Sequence, residues 1–102
     1  MSSELTLSNS ETGYINLPAR FDFTSSAAYR MPFAKLLLDP DKRRLVIDFS
    51  GVNYVDSCGV GTLIAWHQTC KERGKNLVMQ NCGDRIMKIF KVLAVDLLFS
   101  IA

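Results

Sequence analysis

Asp56-Ser57-Cys58-Gly59-Val60-Gly61 stands between two segments of different character. Upstream, Leu45-Val46-Ile47-Asp48-Phe49 is short, apolar and rich in β-branched residues, the composition of a strand buried on both faces. Downstream, residues 60–73 carry apolar side chains at helical spacing and stop at Gly74. A serine at such a junction caps the helix, with its hydroxyl beside the unpaired N–H groups of the first turn. Small residues at Cys58, Gly59 and Gly61 leave the helix start uncovered, so the active site of another protein can reach that hydroxyl. A phosphate on Ser57 would lie at the positive end of the helix dipole, where an anion is favoured. The plainer alternative is that Ser57 only caps and that the glycines only allow close packing of helix on sheet. A dinucleotide fingerprint is incomplete here, because Ile64 stands where its third glycine belongs.

Working outward, strands and helices alternate along the chain. Residues 5–8 and 13–17 read as strands joined by the polar turn Asn9-Ser10-Glu11-Thr12. Thr24 or Ser25 is expected to cap a first helix that reaches Leu38 and stops at Asp39-Pro40, with a kink or restart at Pro32. Asp41-Lys42-Arg43 is a charged turn into the buried strand. Residues 76–80 form the next strand, with Leu77 and Met79 alternating against Val78. Asp84 is expected to cap a third helix, and residues 97–101 to close the sheet. On the helix after the junction, Val60, Leu63, Ile64, His67 and Cys70 share one face. That places His67 in the packed stripe as a partly buried structural histidine, with Trp66 bordering it, packed on the sheet edge or, as the alternative, partly exposed as an interface anchor.

The chain of 102 residues, taken as a single domain over 1–102, is long enough for one modest core. Its first eleven residues are polar enough to be partly mobile. No apolar run is long enough to cross a bilayer, and Met1-Ser2-Ser3-Glu4 lacks the pattern of a secretory signal. A cytoplasmic protein without membrane insertion is the expectation. A net charge of +2 provides no broad basic field, which argues against direct nucleic-acid binding. Cys58, Cys70 and Cys82 form no Cys-x-x-Cys pair, and a single histidine completes no zinc spacing, so neither a metal nor another cofactor is expected. Cys70 reads as a small core hydrophobe. Cys58, at a helix N-terminus, is the one thiol with a redox reading, which the adjacent Asp56 opposes.

No enzyme can be assembled from these residues, and no catalytic residue is expected. A nucleophilic serine needs a base within hydrogen-bond reach, whereas His67 lies ten positions from Ser57, about 15 Å along a helix.

The segment from Ile47 through Asp56-Ser57-Cys58-Gly59-Val60-Gly61 resembles the signature of the STAS domain, the family of bacterial anti-sigma-factor antagonists and related modules. The likeness continues upstream at Leu17-Pro18-Ala19-Arg20-Phe21-Asp22, matching the family's second strand and the acidic residue before its first helix. Downstream it covers residues 81–98, a helix with Ile86, Ile89, Phe90 and Leu93 as its apolar stripe, then a last strand. The resemblance spans residues 13–101. It implies an α/β fold with a mixed sheet of four to five strands and about three helices. The chain's end at Ala102 is expected to leave out the family's C-terminal helix, exposing apolar surface at Leu97, Leu98 and Phe99 and inviting a homodimer or another partner.

The resemblance further implies that Ser57 accepts a phosphoryl group from an anti-sigma serine kinase, and that a serine phosphatase removes it. Asp22, Asp56, Cys58, Gly59, Val60 and Gly61 would then form the partner-binding surface. The unmodified protein would hold the kinase-type anti-sigma factor and free the sigma factor, and phosphorylation would reverse this. Where the family usually has serine or threonine, this chain has Cys58, leaving Ser57 as the only hydroxyl of the motif. Two alternatives remain open. One is a STAS subunit of a lipid-transport ATPase complex. The other is a two-component offshoot with a response-regulator phosphatase and a different output.

Overall fold

The computed structural model describes residues 9–102. After a single 3-10 turn at Asn9–Glu11, strand β1 (Thr12–Asn16) and strand β3 (Arg44–Asp48) lie side by side, followed by β5 (Asn76–Gln80) and β6 (Ser100–Ile101). Every ladder among the described residues is parallel. The strand expected at residues 5–8 lies outside the described residues. In register, Ile15, Ile47, Met79 and Ile101 form one rung across the sheet, and Gly13, Leu45 and Leu77 another on the same face. Central β3 buries Leu45, Val46 and Ile47 together, as a strand covered on both faces must, whereas β1, outermost among the described strands, leaves Tyr14 and Asn16 exposed.

The first helical segment is a relay. It comprises α1 (Phe23–Ser26), a 3-10 turn (Ala27–Tyr29) and α2 (Arg30–Leu38). The restart falls beside Pro32, which sits in the first turn of α2, where its missing N–H has no partner to lose. The cap of this segment is Asp22 rather than Thr24 or Ser25. Its carboxylate accepts from the N–H groups of both residues, and the Ser25 hydroxyl accepts from the Asp22 N–H in return.

Helix α3 (Ser57–Glu72) ends as the chain turns through Gly74 at φ +70, with Lys75 N–H donating to the Cys70 carbonyl and Gly74 N–H to that of Lys71. Helix α4 (Asp84–Val92) ends with the same bonds, Val95 to Phe90 and Ala94 to Lys91, but with an alanine in the left-handed position. Asp84 is the first residue of α4 and not its cap; Gly83 takes the cap position with no side chain to offer.

The helices close one core on the sheet. Trp66 is buried within it, packed rather than exposed as an anchor, because its ring stacks on Phe33 at 4.5 Å and leans on Phe21 at 5.8 Å. Phe49, Phe90 and Phe99 make a second, edge-to-face group, with His67 against Phe99. Phe99 is therefore core. Only Leu97 and Leu98 of the expected apolar patch are exposed.

Candidate functional site

Two residues of strand, β2 (Arg20–Phe21), pair with two more, β4 (Tyr54–Val55), in a small parallel sheet of their own. This pair sets the starts of α1 and α3 side by side. Asp56, immediately after β4, is the N-cap of α3; Ser57 is its first helical residue, not its cap. The Asp56 carboxylate accepts from Gly59 N–H at 2.7 Å through Oδ1 and from Phe23 N–H at 3.1 Å through Oδ2. One side chain thus satisfies orphan donors of two helices. Asp22 closes the other start, paired with Arg20 at 3.6 Å, while the Arg20 guanidinium lies over the Tyr54 ring. Foremost the backbone hydrogen bond from Ser25 holds the Asp22 carboxyl below its ordinary 3.8.

The residues named from the hexapeptide divide into two groups. Ser57, Cys58 and Gly61 are exposed; Gly59 and Val60 are buried. Gly59 is small to let α3 approach β2: a Cβ there would overlap the Phe21 carbonyl oxygen and press on Val55. It serves the packing of the junction and offers a partner nothing directly. Gly61 faces open space.

Ser57 and Cys58 open onto different depressions. Cys58 borders one of about 260 Å³ with Phe23, Arg30 and Thr62. Ser57 borders a groove of about 380 Å³ whose lining also includes Val55, Asp56, Arg85, Lys88, Ile89 and Val92. The Ser57 hydroxyl makes no hydrogen bond to any described residue. Asp22 is not part of this lining, and its hydrogen bonds tie it to the start of α1.

The α4 side of the groove was missed in the sequence. Its signal was present: of the apolar stripe Ile86, Ile89, Phe90 and Leu93, only Ile86 and Phe90 are buried, so the stripe is wider than the core needs. Leu93, with Val92 and the cations Arg85 and Lys88, faces outward instead. Elsewhere, burial pushes the Cys70 and Cys82 thiols up to about 11, leaving Cys58 as the exposed cysteine. Among the described residues no cluster of His, Cys, Asp and Glu could hold a metal, and no helix is long and apolar enough to cross a membrane.

A parallel α/β sheet whose second crossover helix begins at an Asp-Ser-x-Gly junction defines the class. The family profile described as "Mlab, STAS domain" matches residues 6–100, so this chain belongs to the STAS domain family. It is similar to a STAS-domain containing protein of Pseudomonas aeruginosa, 26% identical over 88 residues, covering 86% of this chain and 85% of that one. In structure it is similar to a sulfate transporter family protein from Wolinella succinogenes, with a TM-score of 0.75 and 14% identity over 95% of this chain and 79% of that one. It is also similar to the Bacillus cell fate determinant SpoIIAA in its phosphorylated form, with a TM-score of 0.69 and 16% identity over 95% and 87%. At such identities these likenesses show the fold.

Proposed function

We propose that this chain is an anti-sigma-factor antagonist that switches partners through Ser57, binding a kinase-type anti-sigma factor when unmodified and releasing it when phosphorylated. One observation carries the reading: Ser57 is exposed, its hydroxyl has no hydrogen-bond partner among the described residues, and it opens onto a groove at the start of α3. A serine whose task was to cap would have its oxygen on a backbone N–H, and here Asp56 performs that task.

In the step itself the Ser57 Oγ attacks the γ-phosphorus of ATP held by the kinase. The Oγ–P bond forms, the bond to ADP breaks, and the hydroxyl proton passes to a base of the kinase. In this reading the chain contributes the substrate and the kinase the catalyst, and the neighbouring carboxylate, Asp56, is committed to two amides. Phosphoserine then adds about −1.5 to −2 charges, which changes the charge and shape of the face the partner binds and expels it. A serine phosphatase restores the first state. The exposed Cys58, Gly61 and the Ser57 groove form the face the kinase reads, and the chain works in the cytoplasm.

The test is phosphosite mapping of the protein from its own cells by mass spectrometry, beside a phosphate-affinity gel of Ser57→Ala. Phosphate on Ser57, with the retarded band lost in Ser57→Ala, supports the reading. An unmodified Ser57 under every growth condition contradicts it.

A further inference from the structure

We propose that Arg85 and Lys88 of α4 receive the phosphoryl group carried by Ser57, so that phosphorylation draws a charge bridge across the groove from α3 to α4. This rests on the phosphorylation of Ser57 proposed above and specifies how the phosphate acts. Ser57, Arg85 and Lys88 line the same groove. Arg85 and Lys88 stand three residues apart on one helix, hence on one side of it, and both are exposed. Neither makes a hydrogen bond or ion pair with any described residue.

The remaining polar and titratable groups of the groove do not compete. Asp56 directs its two carboxylate oxygens at the Gly59 and Phe23 amides, and Tyr54 has its ring under Arg20. Val55, Ile89, Val92 and Leu93 make up the rest of the lining. Two cations therefore border a largely apolar groove that supplies them with no free anion. Phosphoserine brings three acceptor oxygens, and a guanidinium can engage two of them at once. The N–H groups at the start of α3 add to the attraction. The modification would then fill the groove and cancel its cationic rim together. A partner would lose its binding surface while the fold stayed unchanged.

Phosphoserine is installed at position 57 of the full chain by genetic encoding, and the phosphate is titrated by phosphorus NMR. In the otherwise unaltered chain its second ionisation is expected below the value near 6 of free phosphoserine. Replacing both cations (Arg85→Gln with Lys88→Gln) should raise it by about half a pH unit or more, while Lys88→Arg should keep the lower value. Lys91→Gln, on the same helix but outside the groove lining, should leave it unchanged. Superimposable titrations of the doubly substituted and unaltered chains overturn the bridge. An equal effect from Lys91→Gln does so too, since that indicates a diffuse field. Because the phosphate is installed without a kinase, failure here removes the bridge and leaves partner release standing. An unmodified Ser57 in the cell removes the release reading instead.

Discussion

The carbonyl oxygen of Phe21 fills the space where a side chain at position 59 would begin, so Gly59 is what lets α3 start against β2. Everything at the site follows from that closeness: Phe23 N–H comes within reach of Asp56, and Ser57 is turned toward α4. Gly59→Ala must push backbone against backbone, which should cost about 1–3 kcal/mol despite the better helix propensity of alanine. Gly61→Ala meets nothing and should be neutral or stabilise by up to about 1 kcal/mol. Thermal melts of the two variants check the contrast; equal melting temperatures would show that the junction is not close-packed.

Asp56 joins two helix starts with one carboxylate, and Asn offers only one accepting oxygen. Asp56→Asn should therefore cost about 1–2 kcal/mol and leave one of two amides unpaired. Hydrogen exchange should speed up at Phe23 or Gly59, a local change that a general loss of stability does not reproduce.

Ala94 ends α4 at φ 59, a left-handed conformation that costs a residue with a Cβ about 1–2 kcal/mol. Ala94→Gly relieves this but loosens the unfolded chain, so a net gain of about 0.5–1 kcal/mol is expected from urea melts. Gly74, which holds the equivalent place after α3, should lose stability on the reverse change, Gly74→Ala.

Asp22 and Asp48 titrate below their ordinary 3.8, Asp22 foremost through the Ser25 amide and Asp48 foremost through the Asn81 side chain. The folded values lie below the unfolded ones, so the unfolded state takes up protons first on acidification. Their contribution to stability is complete above about pH 4 and is lost as pH falls through the folded values. Carboxyl carbon NMR should place both midpoints below 3.8, and Asn81→Gly should raise that of Asp48 alone.

The scaffold was legible wherever burial imposes a period. β3 is covered on both faces and reads as an unbroken apolar run; β5 alternates through Leu77 and Met79; the core face of α3 runs through Val60, Leu63 and Cys70. Caps were harder. Asp56 and Ser57 are both good cap residues, and only the backbone shows which of them takes the extended conformation. The β2–β4 pair has two residues a side, too few to carry any period, and its partners lie more than thirty residues apart. For Trp66 the helical spacing leaves packing and exposure both open, because its cover, Phe33, belongs to another helix. Ser57 as the reactive position came from the hexapeptide. The cations across from it could be found only once α4 was laid against β4.

The most direct test of the central claim is a paired capture from the source cells with Ser57→Ala and Ser57→Asp as baits, quantified by mass spectrometry. A serine kinase with a histidine-kinase-type ATPase domain should be retained by the alanine bait and lost from the aspartate bait. Recovery of the same partners in equal amount on both baits, transporter subunits included, would contradict it and leave Ser57 as an ordinary first residue of a helix.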